Sequence, residues 1–183
     1  MRYVICLFLC MVLTHSCTDK NKIKHQLNAL YENPIIVPSE MMELVRGFNE
    51  KDRNRCKHRF VVYMDSTRCS SCAIKRVRDW ELLREDLNEE VDLVFIFAPK
   101  EEEYEKVKGA LSKETISADV YVDKKHAFIR ENPYIPSTHK MHVFLLTPKD
   151  SVILVGNPLN NNKIRRMLYD VLEKKSIIQR HRI

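Results

Sequence analysis

Glycine is scarce in this chain of 183 residues, which has only Gly47, Gly109 and Gly156. Phosphate-binding loops of the G-x-x-x-x-G-K type and G-x-G-x-x-G turns need closely spaced glycines, because the bare backbone must approach the phosphates. Neither pattern occurs anywhere in the sequence. The shortage therefore excludes nucleotide-binding proteins of these two types.

Long apolar runs are also missing. The longest one near the N-terminus, from Tyr3 to Leu13, is shorter than the ~20 residues that a transmembrane helix needs. It follows the single positive charge of Arg2 and precedes a polar stretch, which is the layout of a signal peptide. Residues 1–16 are therefore predicted to be a signal peptide.

The segment Leu13-Thr14-His15-Ser16-Cys17 at the end of this run resembles the lipobox of bacterial lipoproteins, in which the cysteine becomes the lipidated N-terminus. The resemblance implies a lipidated Cys17 and a membrane anchor. The polar composition of residues 17–34 indicates a tether, and the apolar spacing within it predicts a short helix over 22–31. The location that follows is the bacterial cell envelope, facing the periplasm. An ordinary secreted protein or an uncleaved anchor are the alternatives, and all three place the fold where disulfides persist.

The formal net charge of +6 raises the question of a nucleic-acid partner. Acidic residues, including Glu101 to Glu103, interrupt the basic stretches, and no aromatic residues are spaced among the lysines for base stacking. We therefore expect no nucleic-acid partner. The basic residues near the C-terminus are interpreted as a solvated tail over residues 176–183.

The apolar pattern between residues 35 and 175 predicts one α/β domain with a central mixed sheet of about four to five strands flanked by helices. Continuous apolar runs indicate buried strands, and the last two predicted strands form a hairpin. A short edge strand at residues 35–37 and a short helix over 41–48 are also expected, and Asn162 is expected to cap the last helix. The main strands are predicted at residues 59–64, 92–97, 120–122, 142–147 and 152–155.

Two cysteines stand where the first predicted buried strand passes into a helix, in Cys69-Ser70-Ser71-Cys72. A cysteine at a helix N-terminus meets free amides and the positive end of the helix dipole, which stabilise a thiolate and lower its pKa. The second cysteine, one turn further on, is placed to resolve a mixed disulfide. We therefore predict Cys69 as the exposed nucleophile and Cys72 as the more buried resolving thiol, with Arg68 strengthening the effect.

The motif and the strand order around it, over residues 59–172, resemble the thioredoxin-like thiol:disulfide oxidoreductases of the bacterial envelope. The resemblance implies a thioredoxin-like fold and thiol-disulfide exchange without a cofactor. Its partners would be protein thiols and disulfides in the envelope and an upstream redox protein.

The sequence departs from thioredoxins at several positions. Arg68 replaces the tryptophan before the first cysteine, and Tyr63 replaces a buried acid six residues before it. Counting back from the hairpin turn places His142 where the family carries a cis-proline. His142 is therefore a candidate supporting residue that stabilises the thiolate, or a histidine at a strand end without a role.

Three other readings of the cysteines remain open. The residues around His139 resemble the histidine segment of Sco-type copper chaperones, which implies copper binding by Cys69, Cys72 and His139, since thiolates and imidazole suit copper. Zinc binding would add Cys56 and His58 to the cysteine pair. The pair could also be a structural disulfide in a non-redox lipoprotein scaffold. In each reading except zinc binding, Cys56 is a spare thiol.

Overall fold

The structure is a computed structural model, and it describes residues 21–47, 58–67, 69–88 and 90–180, with side chains up to residue 173. Residues 21–32 form a helix, here α1. The other helices are α2 (Ser70–Lys75), α3 (Val77–Asp86), α4 (Tyr104–Leu111), α5 (Ala127–Glu131) and α6 (Asn162–Arg180). The strands are β1 (Glu43–Arg46), β2 (His58–Met64), β3 (Val91–Phe97), β4 (Asp119–Val122), β5 (Val143–Leu146) and β6 (Val152–Val155).

The described strands form one six-stranded sheet in the order β1-β4-β3-β2-β5-β6. Strand β2 pairs in parallel with β3 and antiparallel with β5, and β5 and β6 form the predicted hairpin. The unit β2-α-β3 followed by a hairpin and a closing helix, with the order β3-β2-β5-β6, is the topology of the thioredoxin-like fold. The predicted fold class is confirmed, with a sheet slightly larger than expected.

One face of the sheet carries helices α2, α3, α4 and α6. The rings of Phe60 and Trp80 meet edge to face with centroids 5.3 Å apart, and the ring of Phe95 packs edge to face against the same indole with centroids 6.3 Å apart. Edge-to-face aromatic pairs are stabilising beyond the area they bury. The core on this face therefore fixes α3, which follows the cysteine helix, against the centre of the sheet.

The opposite face is covered by α1, α5 and the irregular segments beside them. Leu30 and Ile35 are fully buried in this second core. The folded unit therefore includes α1, which the sequence had placed in the tether. No helix in the described part of the chain combines the length and hydrophobicity that a membrane span requires.

A buried asparagine fastens the N-terminal segment to this face. The Asn132 side chain accepts the Ile36 N–H at 2.8 Å and donates to the carbonyls of Ile36 and Phe128, each at 2.7 Å. The Tyr134 hydroxyl donates to the Pro34 carbonyl and lies 3.0 Å from Asn132 Oδ1. Because Asn132 is fully buried, its side-chain amide needs these partners inside the protein.

Strand β1 corrects the expectation of a helix over residues 41–48. The chain makes a 3₁₀ turn at Ser39–Met41 and then pairs β1 antiparallel with the open edge of β4. Glu43 accepts hydrogen bonds from Lys108 and Tyr104. Both bonds lower the pKa of Glu43, and the bond from Lys108 has the larger effect. Pairing and these contacts outweigh the weak local preference for a helix.

Other local predictions are also corrected. Residues 35–37 are irregular and form no strand. The side chain of Asn161, and not Asn162, caps α6, since it accepts the N–H of Lys163 at 2.9 Å and of Ile164 at 3.3 Å. Helix α6 runs to Arg180, so residues 176–180 of the predicted C-terminal tail continue this helix.

Replacing Asn132 with alanine should strongly destabilise the fold. The change removes three hydrogen bonds, to Ile36 and Phe128, at about 1 kcal/mol each, so we expect a loss of about 2 to 4 kcal/mol in the free energy of unfolding. Urea unfolding followed by the fluorescence of Trp80, the one tryptophan of the chain, measures it. Asn33→Ala, which removes an exposed bond to Ala29, is the matched control and should cost less than about 1 kcal/mol. Equal losses in both variants would contradict the role of Asn132.

Candidate functional site

The loop that leaves β2 is held by an aspartate turn. One carboxylate oxygen of Asp65, Oδ1, accepts the backbone N–H of Thr67 at 2.9 Å and also the Thr67 hydroxyl. Aspartate stabilises such turns because its short side chain reaches the amide two residues on. Arg68, the next residue, lies outside the described residues, so its supporting role stays a prediction.

Cys69 occupies the N-cap of α2 with extended backbone angles, φ −68° and ψ 101°. Its sulfur accepts the backbone N–H of Cys72 at 3.3 Å, and the Ser71 hydroxyl lies 3.3 Å from the same sulfur. A capping side chain normally supplies an oxygen to these free amides. Here a sulfur takes that position, so a thiolate formed on reduction would meet a hydrogen-bond donor already in place.

The two cysteines form a disulfide with a Cα–Cα distance of 5.3 Å, within the usual range for such bonds. The sequence analysis expected Cys72 to be the more buried thiol. In the structure both cysteines are exposed, so burial does not distinguish them. The physical reason lies in α2, where Ile74 is the one buried side chain and the turn before it faces solvent.

The helix that carries the cysteines is interrupted at Arg76. This residue, at φ −93° and ψ 0°, separates the six-residue α2 from α3. Its guanidinium donates to Asp79 at 3.1 Å and to Asn160, before α6, at 2.7 Å. The sequence periodicity correctly predicted the buried positions of both helices but gave no sign of the break. Five predicted positions are buried: Ile74, Val77, Trp80, Leu83 and Leu87.

His142 lies directly before β5, as predicted, at the end of the sheet from which the cysteine loop leaves. Its carbonyl accepts the Tyr63 N–H at 2.9 Å, and its ring meets the Tyr63 ring edge to face at 5.2 Å. The imidazole is 2% exposed, with Nε2 2.7 Å from the Pro136 carbonyl and Nδ1 3.3 Å from Asp65 Oδ2. No cis peptide bond occurs in the described ranges.

Tyr63 is a buried phenol at the end of β2 and not an acid. Burial raises its pKa above the ordinary value, and the nearby carboxylates of Asp123 and Asp65 raise it further. Tyr63 therefore stays neutral at physiological pH. The carboxylate that reaches the site is Asp65, which was not among the residues predicted from the sequence, although an aspartate after a buried strand and two residues before a threonine is a recognisable turn signal.

The predicted copper ligands are not brought together. His139 is exposed on the 3₁₀ turn His139–Met141, and no group of three or more His, Cys, Asp or Glu side chains in the described ranges is arranged to hold a metal ion. The residues therefore do not fit the Cys69, Cys72 and His139 site. The zinc set includes Cys56, which lies outside the described residues.

No family model and no curated protein matches the chain. Solved structures similar to it include a thioredoxin-like protein in the oxidised form, at 16% identity and a TM-score of 0.47, covering 75% of this chain and 94% of that one. The thioredoxin domain of a thiol-disulfide oxidoreductase from Bacteroides vulgatus has 15% identity and a TM-score of 0.40, with coverages of 78% and 96%. A thioredoxin-like protein from Bacteroides caccae has 13% identity and a TM-score of 0.42, with coverages of 62% and 40%. The fold assignment depends on the strand order described above and not on these similarities.

The exposure of the cysteine pair predicts that a small reductant reaches it in the folded protein. Dithiothreitol followed by iodoacetamide should label both Cys69 and Cys72 without denaturant, because neither sulfur has to be uncovered first. Peptide mass spectrometry of samples alkylated before and after reduction measures this and distinguishes the pair from Cys56. Labelling that appears only in denaturant would contradict the exposed site.

Proposed function

We propose that this protein carries out thiol-disulfide exchange on other proteins through Cys69 and Cys72. One observation carries the proposal. An exposed disulfide lies at the first turn of α2, and the sulfur of Cys69 accepts the backbone N–H of Cys72. A disulfide that serves only to hold a core together has no need of exposure or of a donor at one sulfur.

The exchange proceeds in two substitutions at sulfur. In the reduced protein the Cys69 thiolate attacks a substrate disulfide, forms a mixed disulfide and releases one substrate thiolate. The Cys72 thiolate then attacks Cys69 Sγ and releases the second substrate thiolate. Two electrons pass to the substrate and the Cys69–Cys72 disulfide forms. The reverse sequence oxidises a substrate dithiol, and an upstream dithiol or disulfide protein restores the pair.

The contacts at the site support the two proposed roles. Cys69 accepts the amide of Cys72, and a donor to a thiolate lowers the pKa of its thiol and so favours it as nucleophile and as leaving group. Cys72 is one helical turn away and within bonding distance. Arg68, adjacent in sequence, would add a positive charge near the thiolate. His142 would support the loop through its contact with Asp65.

The proposed location is the bacterial envelope, with lipidated Cys17 holding the domain to a membrane and the disulfide facing the periplasm. The lipobox-like sequence before Cys17 and the cysteine pair support this location together, because an exchangeable disulfide persists in an oxidising compartment. Envelope proteins with thiols or disulfides are then the substrates.

Reduction of insulin by dithiothreitol tests the activity. The wild-type protein should accelerate it, and Cys69→Ser should return the rate to the uncatalysed level because the nucleophile is gone. Cys72→Ser should instead accumulate a mixed disulfide through Cys69. Ser70→Ala is the matched control in the same motif and should stay within about twofold of wild type.

Two results would decide against the proposal. Equal rates for wild type and Cys69→Ser would remove the catalytic assignment. A disulfide with a reduction potential below about −300 mV and an unreactive Cys69 would favour the structural-disulfide scaffold.

Fractionation of a bacterial host that expresses the full chain tests the anchor. We expect the wild-type protein in the membrane fraction and labelled by a fatty-acid analogue, and Cys17→Ala without the label, because the acceptor sulfur is absent. Insulin reduction should be the same in both, since Cys17 is not a member of the exchange pair. An unlabelled wild-type protein in the soluble fraction would contradict lipidation.

A further inference from the structure

A chain of contacts joins the cysteine loop to the start of the hairpin. Asp65 Oδ1 holds the Thr67 turn two residues before Cys69, and Asp65 Oδ2 lies 3.3 Å from His142 Nδ1. On the far side of the ring, Nε2 lies 2.7 Å from the Pro136 carbonyl. The carboxylate of Asp65 therefore connects the loop that precedes Cys69 to the buried His142.

Hydrogen-bonding capacity sets the protonation of this pair. A proline carbonyl accepts and never donates, so His142 Nε2 must carry a hydrogen. If the ring carried only that hydrogen, the Nδ1 lone pair would face a carboxylate oxygen, and two acceptors would oppose each other. A second proton, on Nδ1, removes the conflict. The 3.3 Å contact is then an ion pair between the charged ring and the Asp65 carboxylate, without the geometry of a hydrogen bond.

Asp65 is a carboxylate that the structure places against the ring. Tyr63 presents a neutral ring edge to His142. The buried carboxylate of Asp123 accepts two backbone N–H groups of α5, each at 2.8 Å. The turn before His142 carries His139 and Lys140, both exposed to solvent.

We propose that Asp65 and His142, joined by this ion pair, are a positioning pair that holds Cys69 in line with its hydrogen-bond donor. The inference deepens the proposed thiol-disulfide exchange and depends on it. Asp65 fixes the Thr67 turn, and the turn sets where Cys69 begins α2. Loss of the ion pair loosens the turn, so the Cys69 thiolate makes its bond with the Cys72 amide less often and is less stabilised.

The test measures the pH dependence of Cys69 alkylation in full-length protein that carries Cys72→Ser. His142→Gln and Asp65→Asn should each raise the midpoint by about half a unit to one unit, which is about a threefold to tenfold loss of thiolate below the midpoint. The double variant should shift no further than either single variant, because both remove the same contact.

Two further variants separate positioning from a general effect. The shorter amide introduced by His142→Asn can take the place of Nδ1 and donate to Asp65, so this variant should shift the midpoint less than His142→Gln, whose amide takes the place of Nε2. Lys140→Gln removes a nearby exposed charge without contact to Asp65 and should leave the midpoint unchanged. If His142→Gln does not fold, as far-UV circular dichroism would show, the partly exposed Asp65→Asn still decides the question.

Unchanged midpoints in Asp65→Asn and His142→Gln, or shifts that add in the double variant, would overturn the pair. So would nitrogen-15 NMR of the oxidised protein at pH 7 that shows His142 Nδ1 without a proton. Alkylation reports on Cys69 without a protein substrate. If insulin reduction fails while the midpoint shifts hold, the proposed function fails and the positioning pair stands.

Discussion

Strand β2 is the constraint on which the rest of the structure depends. Its residues from Phe60 to Met64 are buried on both faces, so its backbone groups must find partners within the sheet. Parallel β3 and antiparallel β5 supply them. Once β2 is fixed on both sides, the point where it ends is fixed as well. The cysteine loop and His142 meet there because β2 leaves the sheet where antiparallel β5 enters it.

The candidate site joins this rigid end of the sheet to a small, exposed helix. Asp65 and the Thr67 turn continue β2 outward, and Arg76 ends α2 soon after the cysteines. The sulfur atoms are thus carried on a short element whose position is set at its start by the loop and at its end by Arg76. Helix α3, packed through Trp80, is already part of the core. This division allows the cysteines to be exposed without exposing the core.

The sequence predicted the elements that have a continuous or periodic pattern of residues. It missed those whose conformation depends on partners far along the chain. The runs of β2 and β3 are apolar throughout, which identifies strands buried on both faces. The cysteine spacing after β2 identified the candidate site. Strand β1 has no such pattern, because the free edge of β4 and contacts with α4 determine its conformation.

The Asp65–His142 contact could not be predicted for the same reason. Asp65 is distant from His142 in sequence, and only the pairing of β2 with β5 brings them together. Cys72 illustrates a different limit. The spacing in the motif showed that Cys69 and Cys72 can form a disulfide. It did not show that the first turn of this short helix faces solvent and exposes Cys72.

The fastening of the N-terminal segment has a mechanical consequence. Tension applied at the N-terminus would pass through α1 and Leu30 to the bonds that Asn132 makes with Ile36, and to the bond from the Ile35 N–H to Asp150. These contacts lie on the face of the sheet opposite α2 and α3. A pull on this end of the chain is therefore carried by the second core, and the helix that bears the cysteines is shielded from the load.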